Sequence, residues 1–445
     1  MISLWESIAT GGPIAGVFHG RTDSVALQDL AGGSILGGNL ESFRGRSVLL
    51  AMREQLATAL ALPELDGVAR RLVLCTPDLT AAQLAAVSAA AEADFVLDSV
   101  APVPVQQTLT RRATEVTEWV LLTSGTTGIP KLVVHSFESL AGGLPRRPGS
   151  TKPMVWSTFY DIRRYGGLQI YLRAVLSGSP LVLSSAGEPT REFLARAGAA
   201  GVTHISGTPS HWRRALMSGE TALISPEYVR LSGEVADQTV LDNLHTAFPQ
   251  ARIAHAFAST EAGVAFDVND GLAGFPEGLL GNSAGAIALK VKDGTLWIRS
   301  RRSAMRYLGS AQIPIGGDDG YVDTGDLVEL TGGRFYFRGR KGGIINVGGL
   351  KVFPEEVESV LNADPRVRMS LVKARRNPLT GSLVVAEVVL TESAGAADAS
   401  TADQIKSDLL SACRRTLAAH KVPALLRFVP TLELNSAGKL VRPSA

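Results

Sequence analysis

Residues 121–136 read LLTSGTTGIPKLVVHS, and the chemistry of the whole chain turns on them. Two apolar residues lead into a run of small ones, Thr123, Ser124, Gly125, Thr126, Thr127 and Gly128, and Pro130 and Lys131 then open a second apolar run, Leu132 to Val134. Small residues let the main chain approach an anion closely, and their amides and hydroxyls are hydrogen-bond donors. Successive amides in a turn form an anion-binding concavity, and Lys131 adds charge at its far end. The pattern is that of a loop wrapping polyphosphate. It differs from the Walker loop, in which Lys directly follows a Gly, because Ile129 and Pro130 separate Gly128 from Lys131. The competing reading is a plain connection between two strands, which four hydroxyl residues, two glycines and a lysine make a poor account of the sequence.

The chain has 445 residues, too many for one core, so at least two domains are expected. Its 44 basic and 42 acidic residues give a formal charge of +2, and 45% of residues are hydrophobic. No bulk field therefore favours nucleic acid or a membrane surface, and anion recognition has to be local. Cys75 and Cys413 lie far apart without a partner pattern, which fits a reducing cytoplasm. The opening MISLWESIATGG lacks the basic region of a signal peptide, and no apolar run has the length of a membrane helix. The seven histidines show no zinc-ligand spacing. These features point to a soluble, cytoplasmic protein.

Short apolar runs such as Ser47 to Met52 and Arg71 to Cys75 alternate with a helix-like, alanine-rich stretch, Leu79 to Ala93. After the small-residue loop, Leu168 to Leu176 and Thr190 to Ala200 read as helices, and Leu181 to Leu183, Val202 to Ile205 and Arg252 to Ala256 as strands. This rhythm predicts parallel, largely buried βαβ sheet. From Gly285 short alternating runs between Gly and Asp turns predict antiparallel, β-barrel-like structure. From Lys341 a small α+β unit follows, with a helix opened by Pro354, strands at Met369–Ala374 and Leu383–Leu390, and a helix over 403–419. Thr391 to Ala402 is expected to be an exposed loop.

Further along, a hydroxyl and a carboxylate, Thr260 and Glu261, follow a strand, a placement suited to a phosphate oxygen and a hard cation such as Mg2+; the alternative is a helix cap at Ser259 or Thr260 with Glu261 in the first turn. Asp326, in a turn after Thr324 and Gly325, is an acceptor-only group suited to two ribose hydroxyls. Arg340 offers a fork of donors to the same ribose or to phosphate. Lys439, in a Ser436-Ala437-Gly438 loop, is a compact charge on a flexible stem. In isolation each would more often be a turn aspartate or a solvated surface cation.

Together, TSGTTGIPK (123–131), ASTEAG (258–263), YVDTGDL (321–327), GRKGGIINVGGLKVFPEEVE (339–358) and NSAGKL (435–440) resemble, in order, the motifs of the adenylate-forming superfamily, which includes acyl-CoA synthetases, adenylation domains of peptide synthetases and luciferases. The resemblance implies an α/β fold: a large N-terminal domain, residues 1–340, of parallel βαβ layers with a small β-barrel-like part, and a small mobile α+β C-terminal domain, residues 341–445. It implies ATP, Mg2+ and coenzyme A as ligands. Thr123 to Gly128 and Lys131 would grip phosphate, Thr260 would contact the α-phosphate and Glu261 would hold magnesium. Phe257, with Ala258 and Ser259 beside it, would stack on adenine, and Ser232, Gly233 and Glu234 would form the opposite wall. Asp326 and Arg340 would take the ribose, and Lys439 would bridge the carboxylate and the α-phosphate. Lys341 and Gly342 match the hinge, where relatives carry Asp or Lys at the second position. Gly348, Gly349 and Leu350 match the loop lining a thiol tunnel.

The acid pocket corresponds to Tyr160, Arg163, Arg164, Gly166 and Gly167, in which the arginines either meet a polar or anionic part of the substrate or point to solvent beside Asp161. With only about 120 residues before the phosphate loop, the N-terminal part is shorter than in typical members. The implied activity is adenylation of a small or aromatic carboxylic acid, then transfer to coenzyme A. Alternatives of the same mechanism load a carrier protein, or adenylate another anion such as nitrite for transfer to an amine. A degenerate binding homologue is the non-enzymatic alternative, disfavoured by intact Lys131, Glu261, Asp326 and Lys439. No nucleic-acid or membrane partner is expected.

Overall fold

Runs buried at all four positions need partners on both faces, and Ser47–Leu50 and Arg71–Leu74, each with three aliphatic residues, find them as neighbouring parallel strands. The computed structural model describes residues 3–9, 16–36, 39–101, 104–106, 114–123, 129–144, 154–281, 287–309, 315–377, 381–395, 399–434 and 439–441. Two large mixed sheets dominate it. A six-stranded sheet runs Arg306–Leu308, Lys131–His135, Glu118–Thr123, Arg71–Leu74, Ser47–Leu50, Phe95–Leu97, and an eight-stranded sheet has Tyr228–Ser232, His204–Gly207, Trp156–Thr158 and Leu181–Leu183 near its middle. Neighbours are parallel in the interior of each sheet and antiparallel toward both edges of the eight-stranded one and one edge of the six-stranded one, whose other edge strand, Phe95–Leu97, pairs parallel with Ser47–Leu50.

Helices Gln55–Leu65 and Tyr165–Ser177 contribute to one core with strands of both sheets, including Leu50, Leu74, Leu121, Phe18 and Leu183. Helix Gln55–Leu65 is buried at nearly every position, as a helix enclosed between two apolar layers must be. Tyr165–Ser177 stops at Gly178, whose φ of +67° closes the helix in the left-handed conformation.

The antiparallel part is a five-stranded sheet that pairs Val322–Thr331 with Arg334–Arg340 and Thr295–Ser300. Beyond Ile345 lies a separate small domain with its own core. It contains the hairpin Ile345–Val347/Leu350–Val352, the strands Val367–Asn377, Gly381–Leu390 and Leu425–Phe428, and helices Pro354–Asn362 and Ala399–Thr416. Thr391 to Ala402 is not the single exposed loop expected. Glu392–Gly395 is a short helix, and the long helix begins already at Ala399; the alanines that read as loop filler are the strongest helix formers. Among the described residues no helix is long and apolar enough to cross a membrane. Cys75 and Cys413 are both buried and unpaired.

Candidate functional site

In a parallel sheet the loops at the carboxyl ends of adjacent strands meet, and ligands bind in that crevice. Strand Tyr228–Ser232 lies between His204–Gly207 and Arg252–Ser259, with Gly207 opposite Leu231 and Ser232 opposite Ala256. Register alone therefore brings Thr208, Gly233 and Phe257 side by side. Gly233 has φ +88°, and a Cβ there would stand 3.2 Å from Cε and 3.6 Å from Nζ of Lys439. The lysine from the far end of the chain thus lies directly on this strand end.

Glu234 explains how it is held. One carboxylate oxygen accepts from the amide of Ser210, 3.0 Å away in the first turn of helix Pro209–Met217, where negative charge is favoured. The other accepts from the amide of Leu440 at 3.2 Å. Glu234 therefore ties the segment carrying Lys439 to the large domain. Burial, and then the charge of Arg340, push the Lys439 ammonium down, while Glu234 and Asp326 pull it back.

Asp326 and Arg340 are cross-strand partners, so strand pairing unites residues fourteen apart, and Arg340 Nε donates to Asp326 Oδ1 at 2.9 Å. The other oxygen, Oδ2, is buried and among the described residues has no hydrogen-bond partner, a costly state unless a ligand donates to it. Burial raises the Asp326 carboxyl, against the opposing pull of Arg340 and Lys439. Arg340 stays charged more firmly than usual, first through Asp326 and also through Glu261. Lys439, Arg340, Asp326, Glu234 and Glu261 thus form one electrostatic cluster.

Thr260 and Glu261 form the turn of an antiparallel hairpin between Arg252–Ser259 and Gly263–Val268, so the helix-cap alternative is overturned. Gly263 is required at φ +78°, where a Cβ would meet the Arg302 carbonyl oxygen at 2.7 Å. Two residues absent from the sequence reading anchor this turn. His135 Nε2 donates to the Thr260 carbonyl at 2.8 Å, and its Nδ1 faces Ser139 Oγ at 3.0 Å; burial pushes the imidazole down to about 4, so it is neutral. Tyr307 donates to Glu261 Oε1 at 3.3 Å, and its ring lies 5.5 Å from Lys131 Nζ. Burial, and then Glu261, push its phenol up to about 12, which keeps it a donor. The signal available in sequence was that His135 ends the strand begun by Lys131. Tyr307 gave none, because its edge strand Arg306–Leu308 reaches Lys131–His135 only by tertiary pairing.

Thr123 and Lys131 face each other across the antiparallel pair that flanks the small-residue loop; Ser124, Gly125, Thr126, Thr127 and Gly128 lie outside the described residues. Phe257 sits in an aromatic cluster, 5.1 Å from the Phe337 ring and nearly parallel to it, and 5.8 Å from Phe266. Ala258 packs against the main core, and Ser259 Oγ accepts from the Ala262 amide at 3.0 Å.

Around the expected acid pocket the structure redistributes roles. Tyr160 is buried and its hydroxyl bonds to Ser232 through carbonyl and Oγ, at 2.8 and 2.9 Å. Arg163 meets neither expectation. Its side chain is 1% exposed and is held by Asp161 at 2.6 Å and by the carbonyls of Met52 and Arg53, because a buried guanidinium needs its donors filled. Arg164 is instead the half-buried arginine whose charge reaches Lys439, and it pairs with Asp78 at 3.2 Å. A Cβ on Gly167 would meet the Asp161 carbonyl oxygen at 2.2 Å, so this glycine serves close backbone approach; Gly166 faces the Tyr160 ring.

Lys341 and Gly342 form a short 3-10 turn with Gly343, and Lys341 Nζ donates to Asp323 at 3.1 Å. Gly342 has open space where a Cβ would stand and no left-handed φ. Gly348 and Gly349, at φ +57° and +85°, are the two central residues of the hairpin turn, as a type I′ turn demands. Leu350 beside them is 51% exposed.

Residues 117–308 match the sequence profile described as AMP-binding enzyme, and residues 356–439 match that of the AMP-binding enzyme C-terminal domain. A 2-succinylbenzoate–CoA ligase of Salmonella typhimurium is 28% identical over 297 residues, which cover 65% of this chain and 61% of that protein, so the match spans about three fifths of the relative's length. In fold, the chain is similar to the anthranilate CoA ligase AuaEII solved with anthranoyl-AMP (TM-score 0.80, 16% identity, 98% and 95% of the two chains). It is likewise similar to the amide bond synthetase McbA of Marinactinospora thermotolerans (TM-score 0.79, 18% identity, 98% and 97%).

Proposed function

The chain belongs to the AMP-binding enzyme family, and from that premise we propose that it is an AMP-forming acid–thiol ligase, which activates a small or aromatic carboxylic acid with ATP and passes the acyl group to coenzyme A. One observation carries the reading: Lys439 lies against Gly233, with Asp326, Arg340 and Glu234 acting on its charge. That position supports the reading, because a cation there would meet the negative charge that gathers between a carboxylate and the α-phosphate.

In the first step a carboxylate oxygen of the acid attacks the α-phosphorus of ATP, the bond to the β-phosphate oxygen breaks, and pyrophosphate leaves. No protein nucleophile takes part; positioning and charge stabilisation lower the barrier. The open Oδ2 of Asp326 receives the ribose hydroxyls, Arg340 reaches the same sugar or phosphate, and Phe257 and the Ser232–Glu234 strand end flank the adenine. Among the described residues no cluster of three metal-ligating side chains exists. Mg2+ is bound through one or two carboxylates with substrate phosphates and water; Glu261 would hold it, and when bound it would neutralise phosphate charge. In the second step the thiol sulfur attacks the acyl carbonyl, AMP departs with the bonding pair, and the thiol proton passes to solvent. We take residues 1–340 and 341–445 as two units that turn about Lys341–Gly342 between the steps, bringing the Gly348–Leu350 turn to the site.

The test is a pyrophosphate-release screen over aliphatic, aromatic and amino acids, with nitrite included, with and without coenzyme A. Acid-dependent release and acyl-CoA formation are expected. Release with no acyl-CoA hands the acceptor role to a carrier protein or an amine, and silence across the panel overturns the reading.

A further inference from the structure

Away from the nucleotide crevice, a cleft of about 330 Å³ opens where the small domain meets the large one, and its wall includes Thr190, Arg214, Arg368, Thr431 and Leu432. The volume lies at the low end of small-molecule sites. Arg214 comes from helix Pro209–Met217 of the large domain, and Arg368 from strand Val367–Asn377 of the small one. Thr190 is the first residue of helix Thr190–Ala199, whose amides face outward at that end. Among the described residues the lining contains no carboxylate. Arg214 spends one nitrogen on the Leu432 carbonyl, 3.2 Å away. Its guanidinium is destabilised first by burial and then by the charge of Arg368, with no acidic group offsetting either. Two half-buried like charges lining one cleft across a domain contact repel one another unless an anion stands between them. Guanidinium forks match the oxygens of phosphate, and hydroxyls on either side extend the set of donors.

We propose that this cleft binds a phosphate-type oxyanion, which bridges Arg214 and Arg368 and holds the two domains in the arrangement that keeps Lys439 against Gly233. One cation comes from each domain, so the anion acts as a removable clamp. When it leaves, repulsion between the arginines favours separation. The existence of the site does not depend on which acid or acceptor the enzyme uses.

Calorimetry with orthophosphate and with pyrophosphate, against chloride at matched ionic strength, tests it. Lys131→Ala, which cuts the proposed phosphate grip of the nucleotide site, should retain this binding. Arg368→Ala and Arg214→Ala should each weaken it by about tenfold or more, the loss of charged hydrogen bonds. Arg368→Glu should abolish it and, by pairing with Arg214, reproduce without phosphate the interdomain distance that wild type shows with phosphate, read by energy transfer between one label on each domain. Tighter pyrophosphate binding would identify the reaction's own product as the source, and tighter orthophosphate binding would identify the medium. Binding that is unchanged in all three arginine variants overturns the proposal, as does binding lost in Lys131→Ala alone.

Discussion

Lys439 is useful because it is a small charge at the end of a long stem, and what determines its position is Glu234 gripping the next amide. Removing the ammonium should therefore damage the step in which charge crowds the α-phosphate and spare the other. In Lys439→Ala, acid-dependent pyrophosphate exchange is expected to fall by about a hundredfold or more, the scale of a lost preorganised charge, while thioester formation from supplied acyl-adenylate persists. Equal loss of both half-reactions would refute that division of labour. Tyr307 tests the proposed phosphate side of the site, through Glu261 and Lys131. Tyr307→Phe keeps the ring near Lys131 but deletes the donor to Glu261, so about a tenfold drop in adenylation is expected, with a higher Mg2+ requirement and an unchanged melting temperature. A drop in stability with normal kinetics would reduce Tyr307 to a packing residue. Asp326, raised by burial, gives up its charge at higher pH than an ordinary aspartate. ATP affinity should accordingly weaken on acidification earlier than a normal carboxylate would dictate, as KM for ATP against pH would show.

At the level of elements, the strands and helices built on strong periodicity were legible in advance. Leu181–Leu183 matches its expected bounds, and Thr190–Ala199 differs by one residue. Errors arose where sequence neighbours do not choose the partner, as at Thr260–Glu261, where the antiparallel strand Gly263–Val268 makes a hairpin of what local propensity allowed to be a helix cap. Arg163 failed for the same reason, since the carbonyls of Met52 and Arg53 that fill its donors are more than a hundred residues away.

One element carries a pH signature of its own. Asp66, just past helix Gln55–Leu65, accepts from the Leu4 amide at 2.7 Å and from Trp119 Nε1 at 2.9 Å, and burial lifts it to about 6. Its folded value lies above the 3.8 of the free side chain, so the folded state binds the extra proton and this group adds stability as pH falls through 6 toward 3.8. The melting temperature of wild type relative to Asp66→Asn should rise over that interval, and a flat difference would show the carboxyl to be charged throughout.

On the scale of the whole molecule, Gly342 is the informative residue, because nothing among the described residues requires glycine there. A residue whose freedom is unused in one state is suited to another. Gly342→Pro, which narrows φ, is expected to leave pyrophosphate release within about twofold and to cut acyl-CoA formation by about tenfold or more, whereas Gly342→Ala should spare both. Normal thioester formation in the proline variant would place the pivot elsewhere.

The motifs from Thr123 to Lys439 already carried the family, because each is a set of residue types at close spacing along the chain. Which groups stand together was set by folding: strand register brings Asp326 to Arg340, Glu234 brings Lys439 to Gly233, and the domain contact brings Arg214 near Arg368. Hydrogen bonds and Coulomb forces act over a few ångströms of space, and separation along the chain does not encode that distance.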